Sequence, residues 1–266
     1  MKFTPPIRRK DTAKGHYYVD ADGRRVPGVT TIIGAGVPKP ALINWAANAT
    51  ADYAVNRWDE LSDLPPAARL DRLRKARYEE KDAAANRGIG VHGYAEHLIR
   101  GRSVEVPEEL AGHVESYARF LDEFDVKPVA VEFSVVSYKY GYAGTGDLIA
   151  DLTIPGLGRR RRLLDLKTNR SGIFSETGLQ LAAYRYADVI LTADGEDPML
   201  EVDECLAVHV RGDGYSLVPV TADRAVFRSF LYAAQVAEWA ATGHELVGAP
   251  IQPPATSSYR LIRELR

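Results

Sequence analysis

The sequence predicts an α/β fold, more closely an α+β arrangement in which helices flank one mixed sheet. Two observations lead to this class. Segments with β-branched alternation and segments with Ala- and Leu-rich helical spacing follow one another along the chain. Their order, with helices, three strands, a helix, two strands and a last helix, is typical of a mixed sheet with helices packed on it. The 266 residues, 45% hydrophobic and 26% charged, suffice for one domain with a full core.

The first forty residues predict a small β element. HYYVDADGRRVPGVTTII has apolar runs on both sides of an Asp-Gly turn at 20–23, which indicates a hairpin, and we expect the β-branched run 29–33 to belong to the same element. After Pro40 the spacing predicts a helix over 41–58, which Pro65 and Pro66 interrupt. A highly charged helix over about 67–86, stopped by Gly88, and a short helix over 90–100 follow.

The second part of the chain predicts the sheet. A turn at 101–107 leads to a helix ending near Phe124, and then come the strands VAVEFSVV, GTGDLIADLTI and RRLLDLKTN. We expect a helix over about 175–191 with Ser175 as N-cap, the strands ECLAVHVR and YSLVPV, a helix over 221–241 and an irregular tail. The single domain divides into 1–87 (hairpin and helices), 88–242 (core) and 243–266 (tail).

Composition excludes several classes of protein. No apolar stretch approaches the ~18 residues that a membrane span needs, and we expect a cytoplasmic protein without a membrane partner. The single Cys205 cannot form an internal disulfide or hold an iron–sulfur cluster alone. No G-x-x-x-x-G-K-[ST] motif occurs, so we expect no ATP binding. The net charge of −2 excludes a uniformly basic surface but not a local basic patch.

The third predicted strand carries a D-x-K pattern. Because side chains alternate along a strand, Asp165 and Lys167 point to the face opposite Leu164 and Leu166. A carboxylate and an ammonium then emerge side by side from an apolar strand. A lone pattern of this kind is more often a surface salt bridge than a catalytic pair.

Three further signals are individually weak. Asp147 follows Gly141, Gly144 and Gly146, which permit close approach, although such an aspartate is about as often a turn residue. Gln180 and Tyr184 share one helix face, where a tyrosine is usually core.

The third of these signals is His92. It lies in HGYAEH, which lacks the H-E-x-x-H order of a zinc peptidase, and a structural histidine is an equally good interpretation.

The order of these signals is more specific than any one of them. The stretches GIGVHGYAEH, GYAGTGDLIADL, LLDLKTN and GLQLAAYRYA, over about 88–190, resemble the PD-(D/E)XK nuclease superfamily in its RecB-like exonuclease branch. YYVDADGRRVPGVTTII and LINWAANATADYAV resemble the N-terminal region of stand-alone phage-encoded and mitochondrial genome-maintenance exonucleases in that branch. The resemblance implies a restriction-endonuclease-like core with an added hairpin and helices.

The resemblance also implies the chemistry. It predicts a Mg²⁺- or Mn²⁺-dependent deoxyribonuclease that hydrolyses phosphodiester bonds from DNA ends in recombination, repair or replication, since hard carboxylate oxygens suit these ions. The implied catalytic residues are Asp147, Asp165, Lys167, Gln180 and Tyr184. The implied metal site contains His92, Asp147, Asp165 and Leu166. Glu132 faces the same polar side, and we assign it a structural or supporting role.

The expected partner is DNA with free ends, together with a single-strand annealing or binding protein. From residue 159 to 170, six basic side chains stand against one acidic, a net +5, which predicts phosphate contacts, although a solvated hairpin tip is the ordinary interpretation of such a run. The expected DNA contacts are Arg159, Arg160, Arg161, Arg162 and Arg170. Two alternatives stay open, a non-catalytic DNA-binding recombination accessory protein and a PD-(D/E)XK endonuclease.

Overall fold

The computed structural model describes residues 6–12, 15–169 and 171–252, without the side chains of 79–81, 83 and 84. The strands are β1 (Arg8–Thr12), β2 (Gly15–Val19), β3 (Arg25–Val26), β4 (Lys127–Ser137), β5 (Tyr142–Ile154), β6 (Gly158–Lys167), β7 (Val189–Leu191), β8 (Glu196–Pro198), β9 (Glu204–Arg211) and β10 (Gly214–Pro219). The helices are α1 (Val29–Gly36), α2 (Pro40–Asn56), α3 (Trp58–Ser62), α4 (Pro66–Ile99), α5 (Glu108–Glu123), α6 (Glu176–Arg185) and α7 (Arg224–Thr242), and a 3₁₀ turn follows at Gly243–Leu246.

A seven-stranded mixed sheet forms the centre of the fold, which confirms the predicted class. Its strand order is β10-β9-β6-β5-β4-β7-β8, and only β6 and β9 run parallel. The N-terminal strands form a separate three-stranded antiparallel sheet, β1-β2-β3. A bridge between Gly28 and Ala143 joins the N-terminal segment to the edge of β5.

Helices cover both faces of the large sheet. Buried side chains of α1, α6 and α7 pack on one face around Tyr142, Ile149 and Leu163. On the other face, α4 and α5 pack against Leu164, Leu166 and the apolar side chains of β9. Each strand in the middle of the sheet is therefore buried on both sides, which excludes water from the backbone around it.

The N-terminal prediction was correct for the hairpin and wrong for the run that follows it. Gly23 closes the turn with a φ of 82° and donates its N–H to the Asp20 carbonyl. The run 29–33, expected in the β element, begins α1 instead. Val29, Ile32 and Ile33 recur at helical spacing and are buried against α6 and α7, so tertiary packing overrides the β preference of branched side chains.

The glycines near residue 88 do not end a helix. The two predicted helices over 67–86 and 90–100 are one continuous helix, α4, so the expected boundary at residue 87 lies inside it. A Cβ on Gly90 would lie 2.8 Å from the Leu110 side chain, which indicates that this glycine permits close packing against α5. The helix expected over 175–191 ends at Arg185, and residues 189–191 of that segment form β7.

No helix in the described part of the chain is long and apolar enough to cross a membrane. Residues 253–266 of the predicted tail lie outside the described ranges.

Candidate active site

The polar residues converge where β5 and β6 separate. Pairing of these strands begins at Leu148 and Leu164, and Asp147 and Asp165 are the next residues on each strand. Beyond this point β6 pairs only with β9 on its other side. The Asp147 carboxylate accepts a hydrogen bond of 2.6 Å from the Leu166 N–H, so it occupies the gap that the separating strands leave.

A histidine and a second carboxylate reach Asp147 from neighbouring elements. His92 on α4 places Nδ1 3.6 Å from Asp147 Oδ1. Glu132 on β4 completes a triad in which one potential ligand atom from each residue lies within 4.8 Å of the others. One nitrogen and carboxylate oxygens at this spacing can hold a divalent cation.

The backbone at Glu132 adopts a conformation that is rare for a side chain of this kind. Its φ is 50°, in the left-handed region, although it lies within a strand whose neighbours Val131 and Phe133 pair regularly with β5. A hydrogen bond of 3.3 Å from Arg100 to the Val131 carbonyl holds the preceding residue. Strained non-glycine residues of this type cost on the order of 1–3 kcal/mol and are concentrated at functional sites.

On the other face of the sheet, Gln180 of α6 organises the D-x-K pair. Its Oε1 accepts a hydrogen bond of 3.2 Å from Lys167 Nζ, and its Nε2 donates to Asp165 Oδ1 at 2.9 Å. The same Nε2 donates to the Tyr184 hydroxyl at 3.2 Å. The four side chains therefore form one network, in which the amide of Gln180 fixes both members of the strand pair.

Asp165 is the most deeply buried acid of the group, with 2% of its surface exposed. Lys167 Nζ lies 2.6 Å from Asp165 Oδ2, so the ammonium is the partner of this buried oxygen. Burial raises the pKa of Asp165 above its usual range, the Lys167 ammonium opposes this, and the nearby Asp147 carboxylate adds to it.

The pKa of Glu132 is also raised by burial. Burial, followed by repulsion from Asp147, raises the pKa of Glu132 to about 7. Beside the triad lies a cavity of about 20 Å³, lined by His92, Glu132 and Asp147 on one side and by apolar side chains such as Tyr117 and Leu148 on the other. That volume holds about one water molecule. The donor set and the small cavity together fit a divalent metal.

Two glycines of the G-x-x-G-x-G stretch allow this packing. A Cβ on Gly144 would lie 2.5 Å from the ring of Tyr184, and one on Gly146 would lie 2.5 Å from the ring of Phe133. The close approach expected of these glycines is therefore confirmed. It lets α6 lie directly on β5, which brings Gln180 and Tyr184 over the strand that carries Asp147.

The structure brings together His92, Asp147, Asp165, Lys167, Gln180 and Tyr184 around one point of the sheet. Leu166 belongs to this point through its main chain only, because its side chain is buried in the cluster under α4 and α5. Glu132, given a supporting role from the sequence, lies within the triad itself. Its place on the polar side of the predicted strand was the available signal.

The arginine run does not form the predicted free basic patch. Arg162 is fully buried, with its guanidinium on Glu204 at 2.8 Å and on the Leu152 carbonyl at 2.8 Å, so the prediction that it contacts DNA was wrong. The other three arginines are partly exposed and ion-paired, Arg159 with Asp125 at 2.7 Å, Arg160 with Glu204 at 3.7 Å and Arg161 with Asp151 at 3.0 Å. Arg170 lies outside the described residues.

Comparisons with known proteins add little to this geometry. No protein-family model matches the chain, and no curated protein does. One solved structure, "Crystal structure of SSO0001", is similar over 84% of this chain and 77% of that chain, with 12% sequence identity and a TM-score of 0.30. A likeness at this level gives no information on activity.

Proposed function

We propose that the protein is a divalent-metal-dependent deoxyribonuclease with a PD-(D/E)XK core, and that it acts on DNA ends. The observation that carries the proposal is the convergence of three carboxylates from three adjacent strands, Glu132, Asp147 and Asp165, beside a lysine and a histidine. Phosphodiester hydrolysis needs a positioned water and positive charge near an anionic phosphorus. Carboxylates, which suit Mg²⁺ or Mn²⁺, and an adjacent ammonium supply both.

The residues that would hold the metal are His92, Glu132 and Asp147, whose ligand atoms lie within 4.8 Å of one another, and Asp165 would join them by exchanging an oxygen from Lys167 or Gln180 to the ion. Bound there, Mg²⁺ or Mn²⁺ would lower the pKa of a water molecule and neutralise charge on the phosphate. The site residues come from both faces of the sheet. His92 and Glu132 approach from the α4 side, whereas Asp165 and Lys167 are oriented from the α6 side.

Lys167 supplies the fixed positive charge. Its ammonium is held by Asp165 at 2.6 Å and by Gln180 at 3.2 Å, and its side chain stays partly exposed toward the site. An ammonium held in this way offsets negative charge that develops on the phosphate without first having to reorganise. Gln180 orients it, and Tyr184 in turn hydrogen-bonds the Gln180 amide. The preference for ends rests on the resemblance, in which the Q-x-x-x-Y element accompanies end-processing enzymes.

The test compares wild type, Asp165→Ala and a matched control on linear and covalently closed circular DNA, labelled at either end, with and without Mn²⁺. We expect Mn²⁺-dependent release of nucleotides from linear DNA by wild type and no release by Asp165→Ala. Asp213→Asn is the control, because Asp213 is an exposed acid in the β9–β10 turn whose ion pair with Arg211 lies away from the carboxylates. Asp213→Asn should release nucleotides at the wild-type rate.

Three results would contradict the proposal, each in its own way. Equal activity of wild type and Asp165→Ala would show that the active site does not include Asp165. Cleavage of circular DNA would make the protein an endonuclease. Salt-sensitive DNA binding without cleavage under any divalent metal would make it a non-catalytic accessory protein.

A further inference from the structure

A second polar cluster lies beside the carboxylates on the same strands. Thr145 precedes Asp147 by two residues on β5, so strand alternation places both side chains on one face. Ser134, two residues after Glu132 on β4, is the register partner of Thr145, and their hydroxyl oxygens lie 3.3 Å apart. The spacing of two residues along a strand is about 7 Å.

The N-terminal hairpin supplies the rest of this cluster. The Tyr18 hydroxyl lies 2.6 Å from Thr145 Oγ1, and Arg9 Nη1 donates to the same oxygen at 3.3 Å. Two hydroxyl groups and one guanidinium therefore surround Thr145 Oγ1, although Arg9 and Thr145 are 136 residues apart in sequence. Burial raises the pKa of Tyr18 to about 12, so its hydroxyl keeps its proton at neutral pH.

Arg9 has no strong anionic partner among the described residues. Its Nε lies 2.8 Å from Asp11, whose side chain is 72% exposed, and an ion pair in that setting contributes little. Arg9 lines a cleft of about 650 Å³ with Glu132 and Ser134. The cleft is open because β7 pairs with β4 only from Ser134 onward, which leaves the preceding edge of β4 uncovered.

From this arrangement we infer that Arg9, held in place by Thr145 and Tyr18 at the cleft that Ser134 also lines, binds the substrate phosphate that neighbours the one being cleaved. This inference rests on the proposed nuclease function. A guanidinium flanked by hydroxyl donors matches a phosphodiester group in charge and in hydrogen bonding. Arg9 and Glu132 line the same cleft, so a substrate that reaches the carboxylates also passes the guanidinium. The N-terminal hairpin is then a wall of the active site.

The test removes the negative charge from one substrate linkage at a time. Oligonucleotides with a single neutral methylphosphonate at successive positions from the end are titrated in Ca²⁺, and binding is followed by fluorescence anisotropy. For wild type we expect affinity to fall about tenfold at the cleaved linkage, which the metal and Lys167 contact, and at the linkage next to it, which Arg9 contacts. Arg9→Gln should bind unmodified DNA about tenfold more weakly and show no further loss at that second position, because the interaction is already absent.

Arg24→Gln is the matched control. Arg24 lies in the β2–β3 turn of the same three-stranded sheet, is likewise paired with an exposed aspartate, Asp22, at 3.3 Å, and has no recorded contact with Thr145. Arg24→Gln should keep the wild-type pattern of positions. If Arg9→Gln unfolds, as thermal melting would show, Arg9→Lys replaces it. That variant keeps the charge without the planar fork, and we expect a partial loss at the same position.

The outcomes separate this inference from the function on which it rests. If wild type cleaves DNA but the position-dependent loss is the same in Arg9→Gln as in wild type, or no position shows a loss, the phosphate subsite is wrong and the nuclease stands. If wild type neither binds nor cleaves DNA, both fail.

Discussion

At the scale of single residues, the amide of Gln180 decides how the site is organised. It is the one group that contacts Asp165, Lys167 and Tyr184 at once among the described residues. An amide can do this because it offers an acceptor and a donor on adjacent atoms. A carboxylate of the same shape would keep the contact with Lys167 and oppose the charge of Asp165.

We therefore expect Gln180→Glu to lower kcat about tenfold to a hundredfold, the range for loss of a hydrogen bond to a charged group. The binding of DNA in Ca²⁺ should change much less, because Gln180 positions catalytic groups. Rates on end-labelled DNA over several substrate concentrations separate kcat from KM. Gln235→Glu, on an exposed position of α7, should match wild type in both. A change in KM alone for Gln180→Glu would contradict the assigned role.

Glu132 makes the stability of the metal-free protein depend on pH. Its pKa of about 7 in the fold exceeds the ordinary value of 4.5, so the fold favours the protonated carboxyl. The stability associated with this shift is complete below pH 4.5 and is lost as the pH rises through 7. After allowance for solvent screening, the change is on the order of 2 kcal/mol. We expect the Tm in EDTA to fall by about 5 °C between about pH 5 and pH 8.

Metal binding at the proposed site would reverse this dependence, because the ligand must be deprotonated. Mn²⁺ should raise Tm more at about pH 8 than at about pH 5, as measured by thermal melting at matched ionic strength. In Glu132→Gln the fall in EDTA should be shallower, and the effect of Mn²⁺ at the higher pH should be smaller. An unchanged pH profile in Glu132→Gln would show that this carboxylate is not the group responsible.

Strand alternation predicted which side chains of β6 share a face and that Glu132 faces the polar side, but it could not predict the backbone conformation of Glu132. Asp165 and Lys167 do contact α6 while Leu164 and Leu166 pack under α4 and α5, because alternation depends only on local geometry. The left-handed φ of Glu132 depends on its neighbours in three dimensions. The same limit applies to Arg162, whose burial depends on Glu204 on a strand 42 residues away in sequence.

At the scale of elements, the contact between α6 and β5 connects the fold to the site. Tyr142 donates a buried hydrogen bond of 2.8 Å to the Ala183 carbonyl, and Gly144 leaves room for the ring of Tyr184. The helix therefore lies close enough for Gln180 to reach β6. A methyl group on Gly144 would force the helix and strand apart.

We expect Gly144→Ala to destabilise the fold by about 1–3 kcal/mol, as overpacking usually does, and to lower activity with it. Gly34→Ala is a suitable control. Gly34 lies on an exposed face of α1, and a Cβ added there would have no neighbouring atom within 4 Å, so alanine should stabilise the fold. The expected gain is about 0.5–1 kcal/mol. Urea titrations of both variants measure the direction in which each changes the free energy of unfolding. A neutral Gly144→Ala would mean that Tyr184 adjusts freely.

Element types were predictable where local pattern and packing agree. The strands that carry Asp147 and Asp165 have regular patterns and were found as predicted. The misassigned elements were decided by distant contacts. The β-branched run at 29–33 is helical because α6 and α7 bury one of its faces, and Gly88 and Gly90 are tolerated inside α4 because neighbouring elements pack there.

At the scale of the whole molecule, the net charge of −2 is now distributed among defined places. Negative charge concentrates at the carboxylate site, where a divalent cation would offset it. The arginines of the 159–162 run are already paired with Asp125, Asp151 and Glu204. A near-neutral total is therefore compatible with DNA binding through a bound metal and a few weakly paired cations, rather than through a basic face.

This distribution predicts which cations contribute to the salt dependence of DNA binding. Each phosphate contact adds about 0.7–0.9 to the slope of log K against log salt concentration. Arg9→Gln should lower that slope by about one, since Arg9 lines the cleft beside the site. Arg161→Gln should leave it unchanged, because Arg161 is bound to Asp151 through two hydrogen bonds of 3.0 and 3.2 Å. Anisotropy titrations between low and moderate salt give both slopes. If Arg161→Gln lowered this slope as much as Arg9→Gln does, the arginines of the 159–162 run would contact DNA and the assignment of Arg9 would lose its support.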